Sequence, residues 1–214
     1  MEDLSNYRKS YEKSELLENA IPEDPINLFH KWFHEVKDFG GIDEVNAMTV
    51  STIGLDGFPK SRVVLLKQYN ENGFIFYTNY NSDKGRAIAT NSNVCISFFW
   101  HNLERQVIIK GIAEKTIPQV SDNYFDSRPT GSKLGAIVSN QSEIIESRVV
   151  LEQRLQQLEK DFQGKDIKRP DFWGGFLIRP IEIEFWQGRP NRLHDRIRYQ
   201  LQKDQNWILN RLSP

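Results

Sequence analysis

Ile183-Glu184-Phe185-Trp186-Gln187-Gly188 and, after residues 189–191, Arg192-Leu193-His194-Asp195-Arg196 form the stretch on which the rest of the chain can be ordered. In its first part Ile181, Ile183 and Phe185 alternate with Glu182, Glu184 and Trp186, the period of a strand with one apolar face. Gly188, Pro190 and Asn191 are turn formers, so a bend is expected there. In its second part Arg192, His194 and Arg196 share one parity, and an extended segment would project all three to one face. Two guanidiniums flanking an imidazole suit an anionic, planar ligand, because guanidinium binds phosphate through paired N–H groups and stacks on rings. A solvated strand face with Asp195 paired to an arginine fits the same spacing equally well.

Composition narrows the classes. The 214 residues fit one domain with a substantial core, and 38% hydrophobic and 27% charged residues describe a globular chain. A formal net charge of −1 leaves no global field to draw in nucleic acid or a membrane surface, so any anion site must be local. The single cysteine, Cys95, has no internal partner and is expected as a buried, inert thiol in the run Val94–Trp100. No apolar run approaches the roughly 18 residues of a membrane span, and Met1-Glu2-Asp3-Leu4 lacks a signal pattern, so a cytoplasmic protein is expected.

Along the chain, residues 1–20 read as an N-terminal arm, either frayed, briefly helical or disordered. Residues 21–214 read as a single domain. Asp24-Pro25 opens a helix that Gly40-Gly41 closes, with Leu28, Phe29, Trp32, Phe33 and Val36 at helical spacing. His30 and His34 lie four apart, but without a third ligand they predict a solvated helix face and no metal site. From Ala47 to Ile117 the pattern is an antiparallel meander: strands over 47–53, 61–69, 74–79, 94–101 and 104–116, turning at Asp56-Gly57 and Asn72-Gly73. A short helix capped by Ser82 interrupts it. Helical segments follow from Pro118, from Lys133 to Val138 (capped by Thr130-Gly131-Ser132) and from about Glu146 to Phe162, the last with an amphipathic stripe at Leu151, Leu155, Leu158 and Phe162. Phe172–Phe176 restarts the sheet, and the last hairpin turns at residues 203–206 into a strand over 207–212. The fold class is mainly β with peripheral helices, an antiparallel barrel.

Several pieces carry chemistry. Arg62-Val63-Val64-Leu65-Leu66-Lys67 puts a cation at each end of an apolar strand. Tyr77 and Thr78 end a strand with hydroxyls, and Ser82 and Lys84 follow at a helix N-terminus, a natural phosphate seat. Gln106 offers an amide to a heterocycle edge. Tyr124 and Arg128 share a helical face, with Ser132 close behind. Each alone also fits an ordinary strand end or cap.

Taken together, and with Phe185–Gly188, Asn191–Arg196 and the closing Arg211-Leu212-Ser213-Pro214, these residues closely resemble the pyridoxamine/pyridoxine 5'-phosphate oxidase family from about Tyr7 to the C-terminus. The resemblance implies an FMN-binding split barrel, assembled as a homodimer with each flavin site built from both subunits. It implies oxidation of pyridoxine or pyridoxamine 5'-phosphate by dioxygen. FMN would be surrounded by the residues from Arg62 to Lys67 with Tyr77, Thr78, Lys84, Gln106, Gln141, Ser142, Trp186 and Arg196. The substrate phosphate would be clamped by Lys67, Tyr124, Arg128 and Ser132. Arg192, Leu193 and His194 would meet the substrate ring, with Arg192 and His194 catalytic, and Arg8 and Tyr11 would belong to an arm that covers the site. One departure is Asp83, which stands where many members have arginine and is expected to point away from the phosphate. A carrier of FMN or pyridoxal phosphate without turnover, or a flavin reductase, are the alternatives. The second phosphate clamp, together with Arg192 and His194, favours the oxidase.

Overall fold

The computed structural model describes residues 1–214. It contains strands β1 (Ala47–Ile53), β2 (Pro59–Leu65), β3 (Gln68–Asn70), β4 (Gly73–Asn79), β5 (Asn93–Trp100), β6 (Arg105–Lys115), β7 (Trp173–Gln187), β8 (Asp195–Leu201) and β9 (Trp207–Leu212). The helices are α1 (Pro25–Phe39), α2 (Asp83–Thr90), α3 (Pro118–Asp126), α4 (Thr130–Val138) and α5 (Arg148–Asp161). The strands hydrogen-bond in the order β2-β1-β5-β6-β7-β4-β3, with β8 pairing β7 and β9 pairing β8. The chain divides into two compact units, one of residues 1–50, 95–111 and 180–214, the other of 51–94 and 112–179.

In the first unit, Asp24 caps α1 by accepting the Ile26 N–H at 2.8 Å, Pro25 takes the first helical position, and Gly40 at φ +74° ends it. The helix buries Leu28, Phe29, Trp32 and Val36. Phe29 meets Phe98 edge-on at 5.2 Å and Trp32 meets Phe185 at 5.2 Å, an arrangement aromatic quadrupoles favour. The expected alternation holds from 182 to 186, where Ile183 and Phe185 are fully buried and Glu182, Glu184 and Trp186 half-buried, but Ile181, expected on the apolar face, is exposed. Residues 182–187 of β7 run antiparallel to 200–195 of β8, and β8 in turn to β9.

The arm is exposed over residues 1–10, but beyond Tyr11 it is docked rather than disordered. The buried carboxylate of Glu104 accepts the backbone N–H groups of Glu12 (2.8 Å) and Lys13 (3.1 Å) and pairs with Lys9 at 3.2 Å. Leu16 is buried, and its N–H donates to Asp195 at 3.0 Å. Arg211 closes a fork on Glu18 at 2.6 and 2.7 Å. Cys95 is half-buried, on the opposite parity to the buried Val94 and Ile96, instead of fully enclosed as expected, and burial raises its thiol pKa.

In the second unit, the strand expected over 61–69 is two strands, β2 and β3. The chain breaks between them at Leu66-Lys67, where the Lys67 N–H donates to the Ile75 carbonyl at 2.9 Å. β3 and β4 form a hairpin, and residues 74–79 of β4 pair with 178–173 of β7. Ser82 caps α2, its Oγ accepting the Gly85 N–H at 3.3 Å. The expected cap of α4 is not one: Thr130, Gly131 and Ser132 form its first turn, and Pro129 occupies the cap position with no side-chain bond. Phe125, Leu134, Ile167 and Trp173 make a local core against which Leu155, Leu158 and Phe162 pack.

Candidate functional site

A cavity of about 740 Å³ lies in the second unit. Four cationic side chains line it (Arg62, Lys67, Lys84 and Arg128) and no carboxylate does. Val63, Val64 and Leu65 form part of its wall, whereas Leu66 is buried away from it.

One end is built on the N-terminus of α2. Lys84 is buried, and its Nζ donates to Gln141 Oε1 at 2.8 Å, to Thr78 Oγ1 at 3.1 Å and to Ser82 Oγ at 3.5 Å. All three acceptors are neutral, so no carboxylate is bonded to the ammonium. Burial, with the Arg62 guanidinium adding, pulls the amine down to about 8. Arg62 donates to Thr52 Oγ1 at 2.9 Å, and burial lowers its pKa as well. Ser142 accepts the Asp83 N–H at 3.2 Å, joining the loop after α4 to the same turn. The Asp83 carboxylate is taken by Lys60 at 2.6 Å and Arg86 at 2.9 Å.

Tyr124, Arg128, Ser132 and Lys67 also line the cavity. The Tyr124 ring stacks on Tyr77 at 3.9 Å, and burial pushes the Tyr77 hydroxyl up to about 12. Arg128 has a buried Nη1 with no hydrogen-bond partner, a donor left over for an anion. Four cations in a lining without a carboxylate, and an orphaned guanidinium N–H on Arg128, fit a ligand set carrying two phosphates, as FMN and a phosphorylated substrate do. Trp173 and Asn79 also line the cavity and were not foreseen. Trp173 sits in the Phe172–Phe176 stretch, which reads only as the restart of the sheet, with nothing in sequence to connect it to Arg128.

The remaining candidates lie in the first unit. Trp186 and His194 are 4.8 Å apart, and the Tyr11 ring is edge-on to both, at 5.6 and 5.7 Å. A Cβ on Gly188 would fall 2.7 Å from Tyr11 Cβ, so glycine is what admits the arm here. His194 Nδ1 accepts the Arg189 N–H at 3.1 Å, which assigns the proton of the neutral ring to Nε2. The shared parity of Arg192, His194 and Arg196 does not hold. Asn191 and Arg192 take φ +59° and +62°, and β8 begins only at Asp195, so the segment is a turn until then. Arg192 and Leu193 are exposed. Arg196 is bonded to Glu184 at 2.8 and 3.1 Å and to the Ser213 carbonyl at 2.9 Å. Asp195 does pair with an arginine, Arg211, at 2.7 Å. Gln106 lies near the start of β6, half-buried. Arg8 is exposed and bonds only within the arm, its Nε to the Ser5 carbonyl at 2.9 Å and its backbone N–H to the Asn6 carbonyl at 2.8 Å.

Two family models match the chain: "Pyridoxamine 5'-phosphate oxidase" over residues 33–160 and "Pyridoxine 5'-phosphate oxidase C-terminal dimerisation region" over 173–214. The chain is 73% identical over 213 residues to the pyridoxine/pyridoxamine 5'-phosphate oxidase of Flavobacterium johnsoniae, covering 100% of both chains. It is 47% identical over 214 residues to that of Bacteroides thetaiotaomicron, again covering 100% of each. Among solved structures, PhzG from Burkholderia lata in complex with tetrahydrophenazine-1-carboxylic acid is similar at a TM-score of 0.86 and 26% identity, covering 95% of this chain and 100% of that one. A pyridoxamine 5'-phosphate oxidase-related, FMN-binding protein from Nostoc punctiforme shares the fold at a TM-score of 0.70 and 14% identity, over 88% and 96% of the two chains. The expected fold class, an antiparallel split barrel with peripheral helices, is borne out by these likenesses.

Proposed function

The chain belongs to the pyridoxine/pyridoxamine 5'-phosphate oxidase family, and we propose that it is an FMN-dependent oxidase making pyridoxal 5'-phosphate. The observation that carries this reading is the cavity lined by four cations and no carboxylate, with the hydroxyls of Tyr77, Thr78, Tyr124 and Ser132 and the amides of Asn79 and Gln141 also in its lining. A flavin carrier needs one phosphate seat, and four cations supply charge enough for a second.

Bound FMN supplies the redox chemistry: the C4' carbon of the substrate is oxidised to the aldehyde, dioxygen takes the electron pair and two protons to give hydrogen peroxide, and the amine substrate also consumes water and releases ammonia. This chain's residues bind and orient. Lys84, Arg62, Ser142 and Gln141 hold the cofactor phosphate, with Thr78 and Tyr77 beside them. Gln106, Trp186 and Arg196 belong to the cofactor side; Arg196, fixed by Glu184, keeps two of its five N–H donors for a ligand. Arg128, Tyr124, Ser132 and Lys67 clamp the substrate phosphate. Arg192 and His194 act on the substrate ring, Arg192 through charge and orientation and His194 through its Nε2–H.

Two copies form the working unit, and each site draws residues from both. The family segment over 173–214, named for dimerisation, supports this. No helix is long and apolar enough to cross a membrane. The test is aerobic turnover of the FMN-loaded protein with pyridoxine 5'-phosphate. Equal amounts of pyridoxal 5'-phosphate and hydrogen peroxide are expected. A protein that binds FMN and the substrate tightly yet forms neither product is a carrier, and the proposal fails.

A further inference from the structure

We propose that Trp173 is the positioning residue of the phosphate clamp: its indole face holds the Arg128 guanidinium in place without neutralising it. This rests on the reading of Arg128 given above. The Arg128 Cζ lies 4.7 Å from the centre of the Trp173 ring and 5.7 Å from that of Phe125. No carboxylate acts on this arginine, and its Nη1 is buried and unpartnered. A carboxylate would fix a guanidinium equally well, but it would occupy the N–H fork and cancel the charge that an incoming phosphate needs. An aromatic face fixes it through the ring quadrupole and leaves every N–H in the guanidinium plane available.

The platform is itself immobilised. Trp173 is 6% exposed. Its ring lies within 11° of parallel to Tyr77 and within 5° to Tyr124, and meets Phe125 edge-on at 5.3 Å. Its carbonyl accepts a bond from Arg169 at 2.7 Å, and Arg169 is in turn anchored by Asp122 at 2.6 Å. The next residue is closely packed and must be glycine: a Cβ on Gly174 would fall 2.2 Å from the Tyr80 hydroxyl and 2.8 Å from Ser121 Oγ. The same ring stack therefore orders two clamp residues, Tyr124 and Arg128, before substrate arrives. Preorganisation of this kind acts on binding. Its loss should appear in KM, with kcat little changed.

The experiment compares FMN-loaded wild type with Trp173→Leu, Trp173→Phe, Arg128→Ala and the double variant Trp173→Phe/Arg128→Ala. It measures FMN content, KM and kcat for pyridoxine 5'-phosphate, the inhibition constant of inorganic phosphate, and calorimetric binding of pyridoxal 5'-phosphate. Trp173→Leu should raise KM, the phosphate inhibition constant and the product dissociation constant about tenfold, with kcat within about twofold and FMN retained. Trp173→Phe, which keeps a smaller aromatic face, should recover most of the loss, and it should add nothing once Arg128 is gone. Unchanged KM and inhibition constants in Trp173→Leu would overturn the proposal. So would a Trp173→Phe effect that persists undiminished in the Arg128→Ala background, the sign of a general packing role; that comparison serves even if the leucine variant fails to fold. If Arg128→Ala itself leaves phosphate and product binding untouched, the clamp reading fails, and not merely the role of Trp173.

Discussion

Lys84 donates from Nζ to the Gln141 side-chain oxygen at 2.8 Å, and this bond, with that from the Asp83 N–H to Ser142 Oγ at 3.2 Å, ties the first turn of α2 to the loop that follows α4. Thr78 Oγ1 donates to the same oxygen at 3.1 Å, so three elements converge on one buried ammonium. Lys84→Ala removes a charge-assisted bond worth roughly 1.5–3 kcal/mol to a phosphate, and FMN affinity should fall about tenfold to a hundredfold. Fluorescence titration of the apoprotein with FMN checks this. Unchanged affinity removes Lys84 from the cofactor shell.

The same amine gives FMN binding a pH dependence. Its pKa in the free protein is about 8, lowered by burial, and a bound phosphate anion favours the protonated form, so the pKa rises on binding. Below pH 8 the amine is charged in both states and affinity should be level. Above pH 8 binding must take up a proton, and affinity should fall by up to about tenfold per pH unit until the bound-state pKa is reached. Titrations between pH 7 and 9.5 should show the bend near 8 in wild type and none in Lys84→Met. A bend of the same size in Lys84→Met assigns it to another group.

Arg192 and His194 should separate cofactor binding from chemistry. His194 is held through Nδ1 and packed against Trp186 and Tyr11, so Nε2 is the nitrogen left to meet a ligand. Arg192→Leu and His194→Asn should retain FMN, while reduction of the bound flavin by pyridoxine 5'-phosphate slows or requires far more substrate. Loss of flavin, with normal reduction of whatever holoenzyme remains, would move both residues to the cofactor side.

The arm should detach in acid. The hydrogen bond from Arg211 holds the Glu18 carboxyl at about 2, against 4.5 for the free side chain. A depressed carboxylate pKa contributes stability that is fully present above about pH 4.5 and is lost as pH falls toward 2. Glu18 is exposed at the surface, so the effect should be small and sensitive to salt. Limited proteolysis with an acid-active protease should cut within residues 1–20 increasingly as pH drops through that window. Arg211→Ala, probed with a neutral protease, should show the arm released at neutral pH. Equal cleavage of wild type and Arg211→Ala would detach the arm's docking from this pair.

Much of this architecture was legible because it is local. Alternation located β1, β4, β5, β6 and the second half of β7, while Asp24-Pro25 and Ser82 located two helix starts. The β2–β3 break was not, since Val63–Leu66 is apolar throughout and nothing local marks Lys67 as the point where the chain bends toward Ile75. The α4 cap was misread because Thr130 and Ser132 have cap chemistry, yet the fixed φ of Pro129 already suits the residue before a helix. The parity of Arg192 and His194 failed for a subtler reason: Asn191 and Arg192 adopt left-handed backbone that non-glycine residues rarely take, so spacing alone suggested extension. The contacts that organise the arm are unreadable in principle from pattern. Asp195 meets Leu16 across 179 residues and Glu104 meets Glu12 across 92. Resemblance gathered residues around the cavity that no periodicity could, and it too passed over Trp173.

The central claim is that this protein oxidises a phosphorylated pyridine through a bound flavin, and anaerobic reduction tests it most directly. The purified protein should show the absorption bands of oxidised FMN. Under strict exclusion of oxygen, adding pyridoxine 5'-phosphate should bleach those bands, with pyridoxal 5'-phosphate formed one-for-one with the FMN reduced and the bands restored when air is admitted. Bound FMN that stays oxidised under saturating pyridoxine or pyridoxamine 5'-phosphate, yet bleaches promptly with a reduced nicotinamide nucleotide, would contradict the account and describe a flavin reductase.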